Sequence, residues 1–325
     1  MSFNFNFSFN ETSKAIKLDH GETYDTLVIG GGPAGLNAAL YAKRKGLSTG
    51  VITKRIGGQL LNTSSVDNYL GISQVSGEAL SEKYLEHLKE LDVGILDEVE
   101  VSSLTKAGST FETRLSDGRI FKSKTLIIAT GSSPRKLDIP GENEYANRGV
   151  AYCAICDAPL FKGKNVIIAG GGNSAVEAAI DVAKFANQVT LVHRSQLRAD
   201  QILIDAMLSQ KNISVFLQTQ ILEIVGDQRM TGIRVLDKQT LAERIIEADG
   251  IFIEIGNLPA NTLVKDIVSL NEKGEIIVDE KNMTSLPGVF AAGDVTQIAY
   301  KQIVIAVADG AKAALSANEY INQNF

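Results

Sequence analysis

The chain has 325 residues, 44% of them hydrophobic and 22% charged, with a formal net charge of −6. That length suggests about two domains, and the composition is neither collagen-like nor that of a disordered chain. No apolar run approaches the ~18–20 residues that span a bilayer, and the negative charge argues against nucleic acid or anionic lipid as main partners.

The opening stretch alternates Phe with Asn or Ser through Phe9. This pattern fits either an extended strand with one aromatic face or a low-complexity tail, and residues 1–22 are set apart as such. It lacks the early positive charge and continuous apolar stretch of a secretory signal. A cytoplasmic location is expected, where a close cysteine pair is more often catalytic or metal-binding than structural.

Thr26–Ile29 reads as a buried strand, followed by Gly30-x-Gly32-x-x-Gly35, a helix with apolar residues at helical spacing, and a second strand at Thr49–Ile52. In this fingerprint Gly30 permits the tight turn, Gly32 lets a pyrophosphate approach the backbone, and Gly35 lets helix pack on strand. Where a carboxylate usually meets the adenosine ribose, about 20 residues on, the chain has Thr53-Lys54-Arg55. A later apolar strand ends in Ala129-Thr130-Gly131.

Tyr152-Cys153-Ala154-Ile155-Cys156-Asp157 holds both cysteines of the chain. Zinc would need two more ligands, and the histidines His20, His87 and His193 are scattered singly. Haem attachment would need His directly after Cys156. A redox-active dithiol is the favoured reading, with a structural disulfide or inert thiols left open. Asp157 suits the proton transfers of thiol–disulfide exchange, or a helix N-cap or first-turn acid, or both.

Nine residues after Cys156 the first unit is written again: a strand at Asn165–Ala169, then Gly170-x-Gly172-x-x-Ala175, a helix, and a strand at Val189–Val192. The repeat aligns without a gap at an offset of 140, from Gly30 to Gly170. Two βαβ units in register imply two dinucleotide sites on parallel sheets, one unit inserted in the other. After the second copy come His193-Arg194-Ser195 and Arg198. Cations there suit a 2′-phosphate, so Arg194 and Arg198 favour NADPH. Gly250–Gly256 reads as a related strand, and Gly288–Ala292 as a strand ending in Gly293-Asp294, with a helix starting near Gln302. Asp294 is placed to accept from a ribityl or ribose hydroxyl.

With GGGPAG (30–35), GGQL (57–60), ATG (129–131), CAICD (153–157), GGGNSA (170–175), AAGDV (291–295) and YKQI (300–303) in this order, the chain resembles the low-molecular-weight thioredoxin reductase family. It resembles still more the flavoprotein portion of the alkyl hydroperoxide reductase F subunit. The resemblance covers roughly residues 23–322. It implies FAD held by Gly30, Gly32, Pro33, Ala34, Gly35, Gly58, Gln59, Leu60, Asn68, Ala129, Thr130, Gly131, Gly293, Asp294, Lys301, Gln302 and Ile303. It implies NADPH, with NADH possible, on Gly170, Gly172, Asn173, Ser174, Ala175, His193, Arg194 and Arg198. It also implies a Cys153–Cys156 disulfide, with Cys156 nearest the flavin, Cys153 attacking the outside partner, and Asp157 as acid–base group.

The implied fold is α/β, with two Rossmann-like doubly wound domains: an FAD domain over 23–133 and 257–325, and an inserted NAD(P)H domain over 134–256 carrying CxxC. The family is homodimeric, and its inserted domain rotates about hinges, here near 131–135 and 253–258. HRSQLR departs from the family's longer arginine cluster and keeps NADH open; a donor such as ferredoxin is the more distant alternative. The amino-terminal thioredoxin-like domains of the full F subunit are not in this sequence, so a separate thioredoxin- or glutaredoxin-like protein is the expected acceptor.

Overall fold

The computed structural model describes residues 18–63 and 65–325, so the reading of the Phe/Asn stretch lies outside the described residues. Two compact units emerge. The first comprises the described residues up to Asn62, Gly77–Gly131 and Pro259–Phe325; the second comprises Thr63–Ser76 and Ser132–Leu258.

The first unit begins with β1 (Thr23–Ile29), α1 (Pro33–Arg44), β2 (Thr49–Ile52), α2 (Gly77–Glu90), β3 (Gly94–Leu96), β4 (Val101–Ala107), β5 (Thr110–Leu115) and β6 (Ile120–Ile128). The second carries β7 (Ser132–Pro134), β8 (Val150–Ala151), α3 (Ala154–Asp157), β9 (Asn165–Ala169), α4 (Asn173–Ala183), β10 (Gln188–Val192), α5 (Gln201–Leu208) and β11 (Ile213–Phe216). It continues with β12 (Thr219–Gly226), β13 (Met230–Asp237), β14 (Glu243–Glu247), β15 (Gly250–Ile253) and β16 (Asn257–Pro259), which ends at the boundary. The chain then returns to the first unit with β17 (Val289–Ala291) and α6 (Ile303–Asn324).

In the first unit β3, β2, β1 and β6 form a parallel sheet. β17 pairs with Leu126–Ile128 of β6, while the β4–β5 hairpin pairs antiparallel with its earlier half. Successive residues serve opposite faces. Val28, Ile127 and Phe290 join a core with Ala38, Ala313 and Ala317 of the helices. Leu27, Ile29, Leu126 and Ile128 join another with Phe111, Leu115 and Val264. Burial on both faces is why these strands read as continuous apolar runs rather than alternating ones. Leu18, set with the tail by the sequence, is buried in this second core.

The crossing of α1 and α6 explains part of the glycine and alanine content. A Cβ on Gly310 would lie 2.0 Å from the Ala34 carbonyl oxygen, so the helix backbones meet directly and only small residues fit between them.

The second unit repeats the plan with β11, β10, β9, β15 and β8, all parallel. Val166, Ile168 and Phe252 face α4, whereas Ile167, Ala169, Ile251 and Ile253 face Ile224, Ile233 and Val235 of the antiparallel meander β12–β13–β14. Helices thus cover one face and a meander covers the other, a cover the strand–helix alternation did not disclose. In both units the fingerprint follows the strand from which the strand order runs outward to both sides, β1 between β2 and β6, β9 between β10 and β15. That switch point is where open α/β sheets bind ligands. No helix among the described residues is long and apolar enough to cross a membrane.

Candidate functional site

The first fingerprint separates its glycines by physical demand. Gly30 has φ +123°, and a Cβ there would meet the Ala129 carbonyl oxygen at 2.2 Å. A Cβ on Gly35 would fall 1.9 Å from the Gly30 oxygen. Gly32 differs: its backbone is extended (φ −80°, ψ −178°), and an added Cβ would meet nothing within 4 Å. Neither conformation nor a protein neighbour demands glycine at 32, so the open space beside it fits a ligand approaching the backbone at the start of α1. Pro33 opens the helix, where its missing N–H costs nothing. Ala34 is buried.

Other expected residues converge on this turn. The Gly57 amide donates to the Gly31 carbonyl (2.8 Å), and a Cβ on Gly58 (φ +54°) would come 3.3 Å from the Gly32 Cα. Gln59 follows in the short 3₁₀ helix Gly58–Asn62, in which Leu60 is buried. The Gln59 Nε2 donates to Asp294 Oδ2 at 3.2 Å. Burial pushes the Asp294 carboxyl up, against the Lys301 charge and the Gln59 hydrogen bond. Gly293 (φ +74°) donates its amide to the buried Asp309 (3.3 Å). Thr130 donates its hydroxyl to the Ala260 carbonyl (2.7 Å), and Gly131 turns at φ +73° with open space beside it.

The Lys301 Nζ lies 3.0 Å from Glu275 Oε1 and donates to the Thr296 carbonyl (2.6 Å). Gln302 caps α6 by position and Ile303 begins it. Asn68 lies in Thr63–Ser76, a segment of the second unit.

The second fingerprint reproduces the geometry. Gly170 has φ +156° and would place a Cβ 2.3 Å from the Glu254 carbonyl oxygen. Gly172 is extended (φ −97°) with nothing within 4 Å. Ala175, the third position, is buried, and Ser174 is exposed. Asn173 is tied to Asp200 by two hydrogen bonds, of 2.8 and 2.9 Å. The His193 ring packs against Gly171, where a Cβ would come within 2.4 Å, and hydrogen-bonds Ser195 Oγ at 3.0 Å. Burial, helped by Arg198 and Arg194, pushes the His193 imidazole down from its ordinary value. The Arg198 amide donates to the Gly171 carbonyl (2.7 Å), which folds the arginine loop back onto the glycine turn. Both guanidinium-bearing residues are exposed, and neither forms a salt bridge among the described residues. Lys238, which the sequence did not single out, brings its Nζ to the Arg194 carbonyl (3.4 Å).

Cys153 and Cys156 are joined in a disulfide with Cα atoms 5.3 Å apart. Cys153 is the N-cap of α3, and its Sγ accepts the Cys156 amide at 3.2 Å. Asp157 closes this helix. It holds the N-cap position of the following 3₁₀ turn, Ala158–Phe161, without a capping side-chain hydrogen bond, and is an acid in the first turn of α3. Burial alone pushes its carboxyl up to about 6. A carboxyl the sequence missed stands at the other end of the helix: Glu254 Oε1 accepts the Ala154 amide (3.3 Å), and burial pushes this acid up to about 7. One acid within an otherwise apolar run, Gly250–Gly256, was its only signal.

The model of the family described as pyridine nucleotide-disulphide oxidoreductase matches residues 24–310. The chain is 44% identical over 314 residues to the alkyl hydroperoxide reductase F subunit of Staphylococcus aureus, covering 96% of this chain and 62% of that protein. The corresponding protein of Pseudomonas putida is 47% identical over 312 residues, covering 95% and 60%. The chain thus spans about three fifths of these relatives' length. Thioredoxin reductase from Streptococcus pyogenes superposes with a TM-score of 0.87 at 38% identity, covering 93% of this chain and 99% of that one. The chain belongs to the pyridine nucleotide-disulphide oxidoreductase family, whose enzymes depend on FAD and NAD(P)H.

Proposed function

We propose that the chain is the reductase of a small dithiol protein: it takes electrons from NADPH and delivers them through Cys153–Cys156 to a thioredoxin- or glutaredoxin-like disulfide. The observation that carries this reading is the dithiol helix in the same unit as the second fingerprint, with the Cys153 sulfur at its N-cap accepting an amide. An amide donated to that sulfur favours its thiolate, the form that attacks a partner disulfide. Bound FAD supplies the two-electron relay between a hydride donor and a disulfide.

The chain's own residues have separable tasks. The turn at Gly30–Gly35 with Gln59 and Asp294 would hold the flavin nucleotide, the open backbone at Gly32 suiting its phosphates. The turn at Gly170–Ala175 would hold the pyridine nucleotide, and Arg194 and Arg198 would suit a 2′-phosphate. Cys153 attacks the partner, Cys156 closes the pair again and releases the partner as a dithiol, and Asp157 holds the proton that the departing sulfur needs. In the net reaction NADPH, a proton and the partner disulfide become NADP⁺ and the partner dithiol. A second reading, an NADH-dependent reductase of a peroxiredoxin system, is favoured by the 44–47% identity to the alkyl hydroperoxide reductase F subunits.

Anaerobic titration of the flavin-loaded protein with each nucleotide separates the two. Bleaching at a much lower concentration of NADPH, weakened by Arg194→Ala and Arg198→Ala, supports the first; preference for NADH supports the second; no bleaching by either defeats both. Cys153→Ser should still bleach but should transfer nothing to a thioredoxin-like protein.

A further inference from the structure

Glu254 is the only polar residue between Gly250 and Gly256. Its amide donates to the Ala169 carbonyl (2.8 Å), as the Ala129 amide donates to the Ile29 carbonyl (2.8 Å) in the other unit. The two residues hold the same place: each backs the first glycine of its fingerprint from across the switch point, Ala129 behind Gly30 and Glu254 behind Gly170. One copy has a methyl group here and the other a carboxyl. That carboxyl accepts the amide of Ala154, the buried residue directly after Cys153. Two amides in the first turn of α3 are therefore spoken for, Ala154 by Glu254 and Cys156 by the Cys153 sulfur.

No cation lies within salt-bridge distance of Glu254 among the described residues. The charged and titratable groups on the surrounding elements are few. Asp157 closes α3, and Arg135 donates its amide to the Gly256 carbonyl (2.9 Å). His193 packs on Gly171. Glu142 accepts from the Tyr152 hydroxyl (2.8 Å) and from the Leu137 and Asp138 amides. Glu254 thus meets the residue after Cys153 as an acid with no cation beside it among the described residues.

We propose that Glu254 is a positioning residue for the dithiol: through the Ala154 amide it places a negative charge behind Cys153 and raises the pH at which the reduced Cys153 becomes a thiolate. A like charge this close disfavours the second anion. With its own ionisation near pH 7, Glu254 is charged where thiols titrate, around pH 8.5. The inference rests on Cys153 being the exchanging thiol.

The test uses flavin-loaded protein reduced anaerobically with dithiothreitol, desalted, and pulsed with iodoacetamide from about pH 6 to 9.5. Alkylation of the Cys153 peptide is followed by mass spectrometry, so neither donor nor acceptor identity enters. Glu254→Gln keeps an acceptor for the Ala154 amide but removes the charge. Its midpoint should fall by about one pH unit, the two profiles converging below about pH 7, where Glu254 itself takes up a proton. The gain in rate between the two midpoints should be smaller than the gain in thiolate, because a less basic thiolate is less nucleophilic. Glu254→Met, uncharged and similar in volume, should shift the midpoint the same way, and Glu254→Asp should stay with the parent protein. Coincident profiles for Gln, Met and the parent would overturn the inference while leaving Cys153 as the exchanging thiol. A parent Cys153 that resists alkylation throughout would overturn that reading and the inference together.

Discussion

Gly32→Ala and Gly35→Ala alter the same fingerprint three residues apart and should fail in opposite ways. At Gly35 the new methyl would sit 1.9 Å from the Gly30 carbonyl oxygen, about 1.5 Å inside ordinary contact at 3.4 Å, with the Ala129 Cβ another 3.3 Å away. The obstacle is backbone, so α1 must move off β1, at a cost of about 3 kcal/mol, the upper end for overpacking. At Gly32 the methyl meets no protein atom within 4 Å, in a conformation alanine adopts freely. Alanine is a poorer N-cap than glycine by about 1 kcal/mol. The loss of unfolded-state freedom offsets about 0.4–1 kcal/mol of that. Gly32→Ala should therefore melt within about 2 °C of the parent, measured on flavin-free protein. Its methyl should instead occupy the space a phosphate needs. Losing one charged hydrogen bond, about 1.5–3 kcal/mol, weakens FAD binding roughly 10- to 100-fold. Flavin content by visible absorbance and the melting temperature of apoprotein by circular dichroism give the two axes. A Gly32→Ala protein that retains FAD with parental affinity would refute the assignment of this turn to the phosphates.

Two further outcomes test the electrostatics. Lys301 and Glu275 form an ion pair with side chains 19% and 15% exposed. Lys301→Met should cost about 3 kcal/mol in urea unfolding, because it leaves a largely buried carboxylate unpaired, and the double change with Glu275→Gln should recover most of it. Equal losses in the single and double variants would show that packing, not charge, is at stake. Asp157, pushed up to about 6 by burial, binds its proton more tightly folded than unfolded (3.8). The folded state is thus favoured below pH 3.8 and loses that advantage as pH rises toward 6. Asp157→Asn should raise the melting temperature at pH 8, with the gain shrinking to nothing near pH 4; a constant gain across that range would refute the burial argument.

Much of the site was legible because its signals are local. A tight turn that needs φ above zero, a helix start that needs small residues, and a cysteine pair within one helical turn all leave their mark within a few consecutive residues. Gly30, Gly35, Gly170 and Cys153–Cys156 were read this way. Glu254 and Lys238 were not, since each acquires its role by meeting a distant loop. Glu254 was masked further because the repeat loses its constant offset beyond the second strand. Its counterpart is Ala129, at a separation that the intervening hairpin and meander have changed.

By itself the sequence determined the two βαβ units and their glycine turns, because period, turn chemistry and close backbone approach are written residue by residue. Only the tertiary structure decided which polar groups meet: Gln59 with Asp294 across 235 residues, Glu254 with the Ala154 amide across 100, and Lys301 with Glu275. It also decided that hairpin and meander cover the faces the helices leave bare. Long-range pairings of this kind follow from sheet order and from the cost of burying a polar group alone, and neither is local to any stretch of chain.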